Sequence, residues 1–103
     1  MATREEILLK IKKNVSDLDP EAKVILFGSR ARGDNGEESD WDILILTNIP
    51  ATEENKRNLR FHLLDIELEI EQSISTLIHQ NDHWKHYSVT PLHEIIKTEG
   101  IEV

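Results

Sequence analysis

The chain has 103 residues, with 12 Lys and Arg against 20 Asp and Glu, a formal net charge of -8 and 38% hydrophobic residues. That length holds one domain over 1–103 with a single core, and the apolar content excludes a disordered chain. The acidic balance argues against a broad nucleic-acid-binding surface, and the lack of cysteine excludes disulfides and thiolate metal sites. The charged start, Met1-Ala2-Thr3-Arg4, lacks the apolar stretch of a signal peptide, and no run reaches the length of a membrane span. A soluble cytoplasmic protein is the expectation.

The first predicted helix runs from Thr3 to about Asp17, with Thr3 and Glu6 as a capping box and Ile7, Leu8, Ile11, Val15 and Leu18 as its buried stripe. Asp19-Pro20 ends it. Lys23–Phe27 is a strand, apolar at successive positions and therefore expected to be covered on both faces. Ser29 to about Gly33 reads as a short helix, followed by the polar loop Asp34-Asn35-Gly36-Glu37-Glu38 and a second strand over Asp42–Leu46.

Thr52 caps a longer helix reaching roughly Ile70, with Leu59, Leu63, Ile66 and Ile70 on one stripe. Its acidic end, Glu67, Glu69 and Glu71, opposes the helix dipole, so its end is open and could lie as early as Glu67. A third strand is expected over Ser73–Ile78, then a polar connector bearing histidines. A last helix has Thr90 as N-cap, Pro91 at its first position and Gly100 past its end.

The chemistry concentrates between the first two strands. Gly28 allows close backbone approach to a ligand, and Ser29 adds a hydroxyl where a phosphate would sit. Asp40 and Asp42, two apart on a strand, project from one face and suit Mg²⁺, whose remaining positions go to phosphates and water. Trp41 points the other way, into packing. Either piece alone is common in loops and strand ends; their conjunction on consecutive, hence neighbouring, strands is what points to function.

Gly28-Ser29, ten residues, then Asp40-Trp41-Asp42 resembles the Gly-Ser-x10-Asp-x-Asp pattern of the minimal nucleotidyltransferases of the DNA polymerase β-like superfamily. Leu26-Phe27 and Arg30-Ala31-Arg32-Gly33-Asp34 are similar to that family too, and the element order agrees over nearly the whole chain. The resemblance implies an α+β fold with α/β-type layers, a small mixed β-sheet flanked by helices. It also implies Mg²⁺-dependent transfer of a nucleoside monophosphate from an NTP, ATP by preference, to a hydroxyl of a protein or small molecule. Gly28 and Ser29 would hold the triphosphate, and Asp40 and Asp42 the metal ions. Arg30 or Arg32 could add a donor to the phosphates, Arg32 being slightly favoured. The family further implies a small helical HEPN-type partner, with the nucleotidyltransferase as antitoxin of a toxin–antitoxin pair.

One departure stands out. Active relatives carry a third carboxylate on the third strand, and here Ser75 occupies that place. Glu71, four residues earlier, substitutes as a catalytic acid only if the strand begins that early; Glu69 is more remote. Otherwise the alternative is a weakly active or inactive nucleotide-binding module that works through protein contacts. His79, His83 and His86 recur at spacings of four and three, but surface or packing roles outweigh a metal site for them. Trp84 and Tyr87 are expected to anchor the connector to the core.

Overall fold

Local signals build most of the elements. In the computed structural model, which describes residues 3–103, helix α1 spans Arg4–Ser16 and opens on Thr3, whose hydroxyl accepts the Glu6 N–H at 3.2 Å. Strand β1 covers Lys23–Phe27, helix α2 Ser29–Arg32, strand β2 Trp41–Thr47 and helix α3 Glu53–Ile70. They are followed by strand β3 over Ile74–Gln80, helix α4 over Asn81–Trp84, a 3-10 turn over Lys85–Tyr87, helix α5 over Pro91–Glu99 and strand β4 over Ile101–Glu102. Thr52 and Thr90 cap α3 and α5, accepting the Asn55 and His93 N–H groups at 3.1 and 3.2 Å.

The four strands form one mixed sheet in the order β3-β2-β1-β4, with β2 and β3 parallel and the other two pairs antiparallel. Both faces are covered, which explains the continuous apolar runs. Val24, Leu26, Ile43 and Ile45 pack with Ile7, Ile11 and Val15 of α1 and Leu59, Leu63 and Ile66 of α3. Ile25, Leu44 and Leu46 turn to the other face and pack with Ile96 and Leu92 of α5 and with Trp84. Burying each such side chain contributes about 1.5–3 kcal/mol, enough in sum to hold a chain this small.

One open helix end closes as expected, and two strands depart from expectation, each for a tertiary reason. Helix α3 does reach Ile70 despite its acidic end, because two of its acids are engaged. Glu69 takes Lys10 Nζ of α1 at 2.6 Å, and Glu67 accepts the Ile74 N–H at 3.0 Å, where β3 begins. Strand β3 starts at Ile74, not Ser73, and continues to Gln80 because its parallel register with β2 runs from Trp41↔Ile74 to Thr47↔Gln80. Strand β4, two residues long and without a pattern of its own, exists only by pairing with Ile25 and Leu26.

Candidate active site

The site lies where β1, α2, β2 and the end of α5 meet. Gly28 leaves β1 with φ 79 and ψ -159, a conformation that side chains resist, and its carbonyl then accepts the Ala31 and Arg32 N–H groups at 3.1 Å. Asp42, paired in register with Phe27, shares the α5 face with Leu44 and Leu46 and folds back over Gly28. A Cβ at Gly28 would overlap that carboxylate. The glycine therefore meets two demands at once, a left-handed turn and space for Asp42.

Asp40 immediately precedes β2 and reaches its place through the loop that joins it to α2. Arg30 secures this loop. Buried to 8% exposure, it forks onto the Ser39 carbonyl through Nε at 2.9 Å and Nη2 at 2.8 Å. Nη2 also reaches the Glu37 carbonyl at 3.3 Å, and the guanidinium lies 4.5 Å over the Trp41 ring. Trp41 in turn donates from Nε1 to Gln72 at 2.8 Å, and Gln72 donates to the Glu37 carbonyl at 3.0 Å. Burial pulls the Arg30 pKa down while the nearby Asp40 charge pushes it back up.

Asp42 feels both neighbours. Burial pushes its carboxyl pKa up, the Asp40 charge adds to the rise, and Arg32 opposes it. Two carboxylates that repel each other in a partly buried setting form a donor set short of positive charge, which a divalent cation would supply. Among the described residues no group of three acids or histidines gathers into a cage. The two aspartates fit Mg²⁺, which takes one or two protein carboxylates and leaves its other positions to phosphates and water.

The arginines divide. Arg30 is committed to the loop; Arg32 is exposed and close enough to Asp42 to lower its pKa. Ser29, half-buried, opens α2 beside Gly28. Glu71 does not join them. The condition under which Glu71 would serve, a strand beginning that early, is not met: β3 starts three residues later, and Glu71 is the exposed C-cap of α3, at φ 55 and ψ 37. It lines a cleft with Asn35, Glu37, Glu38 and Gln72. Ser75 stands directly opposite Asp42 in the β2–β3 register, so a hydroxyl occupies the expected acid position.

One residue of the site had no local signature. Glu99, in the last turn of α5, accepts the Gly28 N–H at 3.1 Å and the Arg32 Nη1 at 3.1 and 3.3 Å through its two oxygens. Its only trace in the sequence is an acid at a helix C-terminus, where the dipole disfavours negative charge unless a partner elsewhere compensates.

Of His79, His83 and His86, the last two are exposed and His79, in β3, packs with aromatic rings. His79 lies 4.6 Å from Tyr87 and 5.4 Å from Trp84, and Trp84 stacks on His93 at 5.1 Å between ring centroids. Burial and Lys56 hold the His79 pKa below its ordinary value, so its ring stays neutral within the cluster.

Comparison with known proteins agrees with this geometry. The profile of the nucleotidyltransferase domain family matches residues 8–98, which include both motifs. The chain belongs to the nucleotidyltransferase domain family. It is similar to a protein of Methanocaldococcus jannaschii whose name marks it as a candidate protein adenylyltransferase, with 46% identity over 56 residues, 52% of this chain and 57% of that protein. The chain thus matches little more than half the length of that relative. A solved toxin–antitoxin structure holding AMP-PNP superposes with a TM-score of 0.66 over 91% of this chain and 69% of the other, at 21% identity. At that identity it shows that the fold is shared.

Proposed function

We propose that this nucleotidyltransferase domain transfers a nucleoside monophosphate from an NTP to a hydroxyl of a protein or small molecule, with Mg²⁺. The observation that carries the reading is the Asp40–Asp42 pair, with Asp42 held over Gly28 and its carboxyl pKa pushed up by burial and by the Asp40 charge. Gly28 and Ser29 would receive the triphosphate, with Arg32 as a donor beside it. When bound, Mg²⁺ would offset the charge of the polyphosphate and draw electron density from the reacting phosphorus. The acceptor oxygen bonds to the α-phosphorus, the bond to the bridging oxygen breaks, and pyrophosphate leaves. With Ser75 in place of an acid, the hydroxyl proton passes to water. The chain's own contribution is positioning: Arg30 and Trp41 set Asp40, and Gly28 sets Asp42.

ATP is the favoured donor, supported by the adenylyltransferase name of the archaeal relative and the AMP-PNP in the structural neighbour. The toxin–antitoxin title of that neighbour supports a protein partner, for which a small helical HEPN-type protein is our candidate, with this chain as antitoxin. No helix among the described residues is long and apolar enough to cross a membrane, in keeping with a cytoplasmic site of action.

A second reading rests on one observation, Ser75 opposite Asp42. Without a third acid the domain would hold nucleotide and act through its partner, with little or no turnover. Incubation with ATP or CTP, Mg²⁺ and the co-encoded neighbour protein, read by mass, separates the two. A nucleotide adduct that disappears with Asp42→Ala supports transfer. No adduct with any NTP, while Asp42→Ala binds the partner as well as the parent does, leaves only the binding module.

A further inference from the structure

Glu99 makes a set of contacts that its own helix does not explain. Its carboxylate reaches from the last turn of α5 to the turn after β1, 71 positions away in the chain. There it accepts the Gly28 N–H and takes the Arg32 guanidinium through both oxygens, at 3.1 to 3.3 Å. The Glu99 side chain is 20% exposed, so it is partly shielded from water, while Arg32 is exposed. These hydrogen bonds raise the Arg32 pKa, together with the one from Asp34.

The donors Glu99 holds are those the proposed reaction needs for phosphate. Gly28 belongs to the phosphate turn, and Arg32, whose Nε also donates to Asp34 at 3.0 Å, is the arginine not committed to the loop as Arg30 is. A carboxylate on a backbone N–H and a guanidinium imitates a phosphate group: acceptor-only, anionic, with two oxygens for the guanidinium. A triphosphate arriving there meets a negative charge already bonded to its ligands, beside the two further carboxylates of Asp40 and Asp42.

We infer that Glu99 is a built-in competitor for the polyphosphate, occupying the anion donors of the site and swinging away when the nucleotide enters. The inference rests on the nucleotide-binding reading above. Glu99 ends α5, and the two residues after Gly100 form β4 on the edge of β1, so the gate is attached to the sheet's outer strand. Displacing the carboxylate costs only its hydrogen bonds, while the helix stays anchored by Ile96 and Leu92. The device orients Arg32 and raises the nucleotide concentration needed to fill the site.

The test is Mg²⁺-dependent binding of ATP, AMP and adenosine to the full chain, comparing the parent with Glu99→Gln and Glu99→Ala. Glutamine keeps an acceptor for the Gly28 N–H and removes the charge; alanine removes both. Both variants are expected to bind ATP roughly tenfold more tightly, as loss of one charge-assisted competitor implies. The gain should shrink for AMP and vanish for adenosine, which lacks the phosphate that competes. A purely structural Glu99 would instead give weaker ATP binding with a lower melting temperature, and unchanged or weaker ATP binding by a folded Glu99→Gln overturns the inference while leaving the nucleotide site standing. Failure of all three proteins to bind ATP overturns both.

Discussion

The Asp42 carboxylate occupies the space into which a Cβ on Gly28 would project. A side chain on one strand end and a missing side chain on its antiparallel neighbour are thus one device. Gly28→Ala is expected to fail twice, through the left-handed φ of 79 and through displacement of Asp42. The backbone penalty is about 1–2 kcal/mol. Transfer activity, measured by adduct mass, should fall by roughly a hundredfold or more, since a misplaced catalytic group by about 1 Å costs that much.

Arg30 tests whether the loop, and not the strand alone, sets the site. Its fork onto Ser39 and its stacking on Trp41 depend on a flat guanidinium with two N–H groups in fixed relation. Arg30→Ala should lower stability by about 2–3 kcal/mol in urea unfolding. Arg30→Lys should recover little of it, because a point charge cannot make the fork. Both should weaken Mg²⁺ binding by loosening Asp40.

Asp42 gives a prediction with a definite sign. Its pKa is raised in the folded state by burial and by Asp40, so folding favours its protonated form. That contribution is complete below the ordinary carboxylate value and is lost as pH rises through the elevated one; at neutral pH the two anions oppose folding. Asp42→Asn should therefore raise the neutral-pH melting temperature by about 3 °C, while abolishing transfer. Mg²⁺ should raise the melting temperature of the parent and leave that of the variant nearly unchanged. For the parent, the Mg²⁺ effect should fade as pH drops through the raised Asp42 pKa.

Glu71 is a non-glycine residue in the left-handed region at the end of α3. Glycine is the residue that such a cap favours. Glu71→Gly should stabilise the chain by about 0.5–1 kcal/mol with the adduct yield unchanged. A loss of transfer would return Glu71 to the catalytic set despite its place outside β3.

A large part of this protein could be read before any coordinates. The caps at Thr3, Thr52 and Thr90 mark helix starts because a hydroxyl and a free N–H lie within three residues of each other. The apolar runs mark buried strands, and the spacing and chemistry of Gly28-Ser29 with Asp40 and Asp42 mark the place we propose for a cation and phosphates. Those signals are local, so they survive in one dimension. The start of β3, the C-cap of Glu71, the short β4 and the commitment of Arg30 to the loop are set by partners distant in the chain. Glu99 is the clearest case: only the packing of α5 on the sheet brings its carboxylate to Gly28 and Arg32. Sequence alone determined where glycine, hydroxyl and carboxylate groups suited to a nucleotide and a cation lie in the chain; tertiary structure decided which neighbouring donors are already taken, because hydrogen bonds are formed by atoms near in space and not by neighbours in the chain.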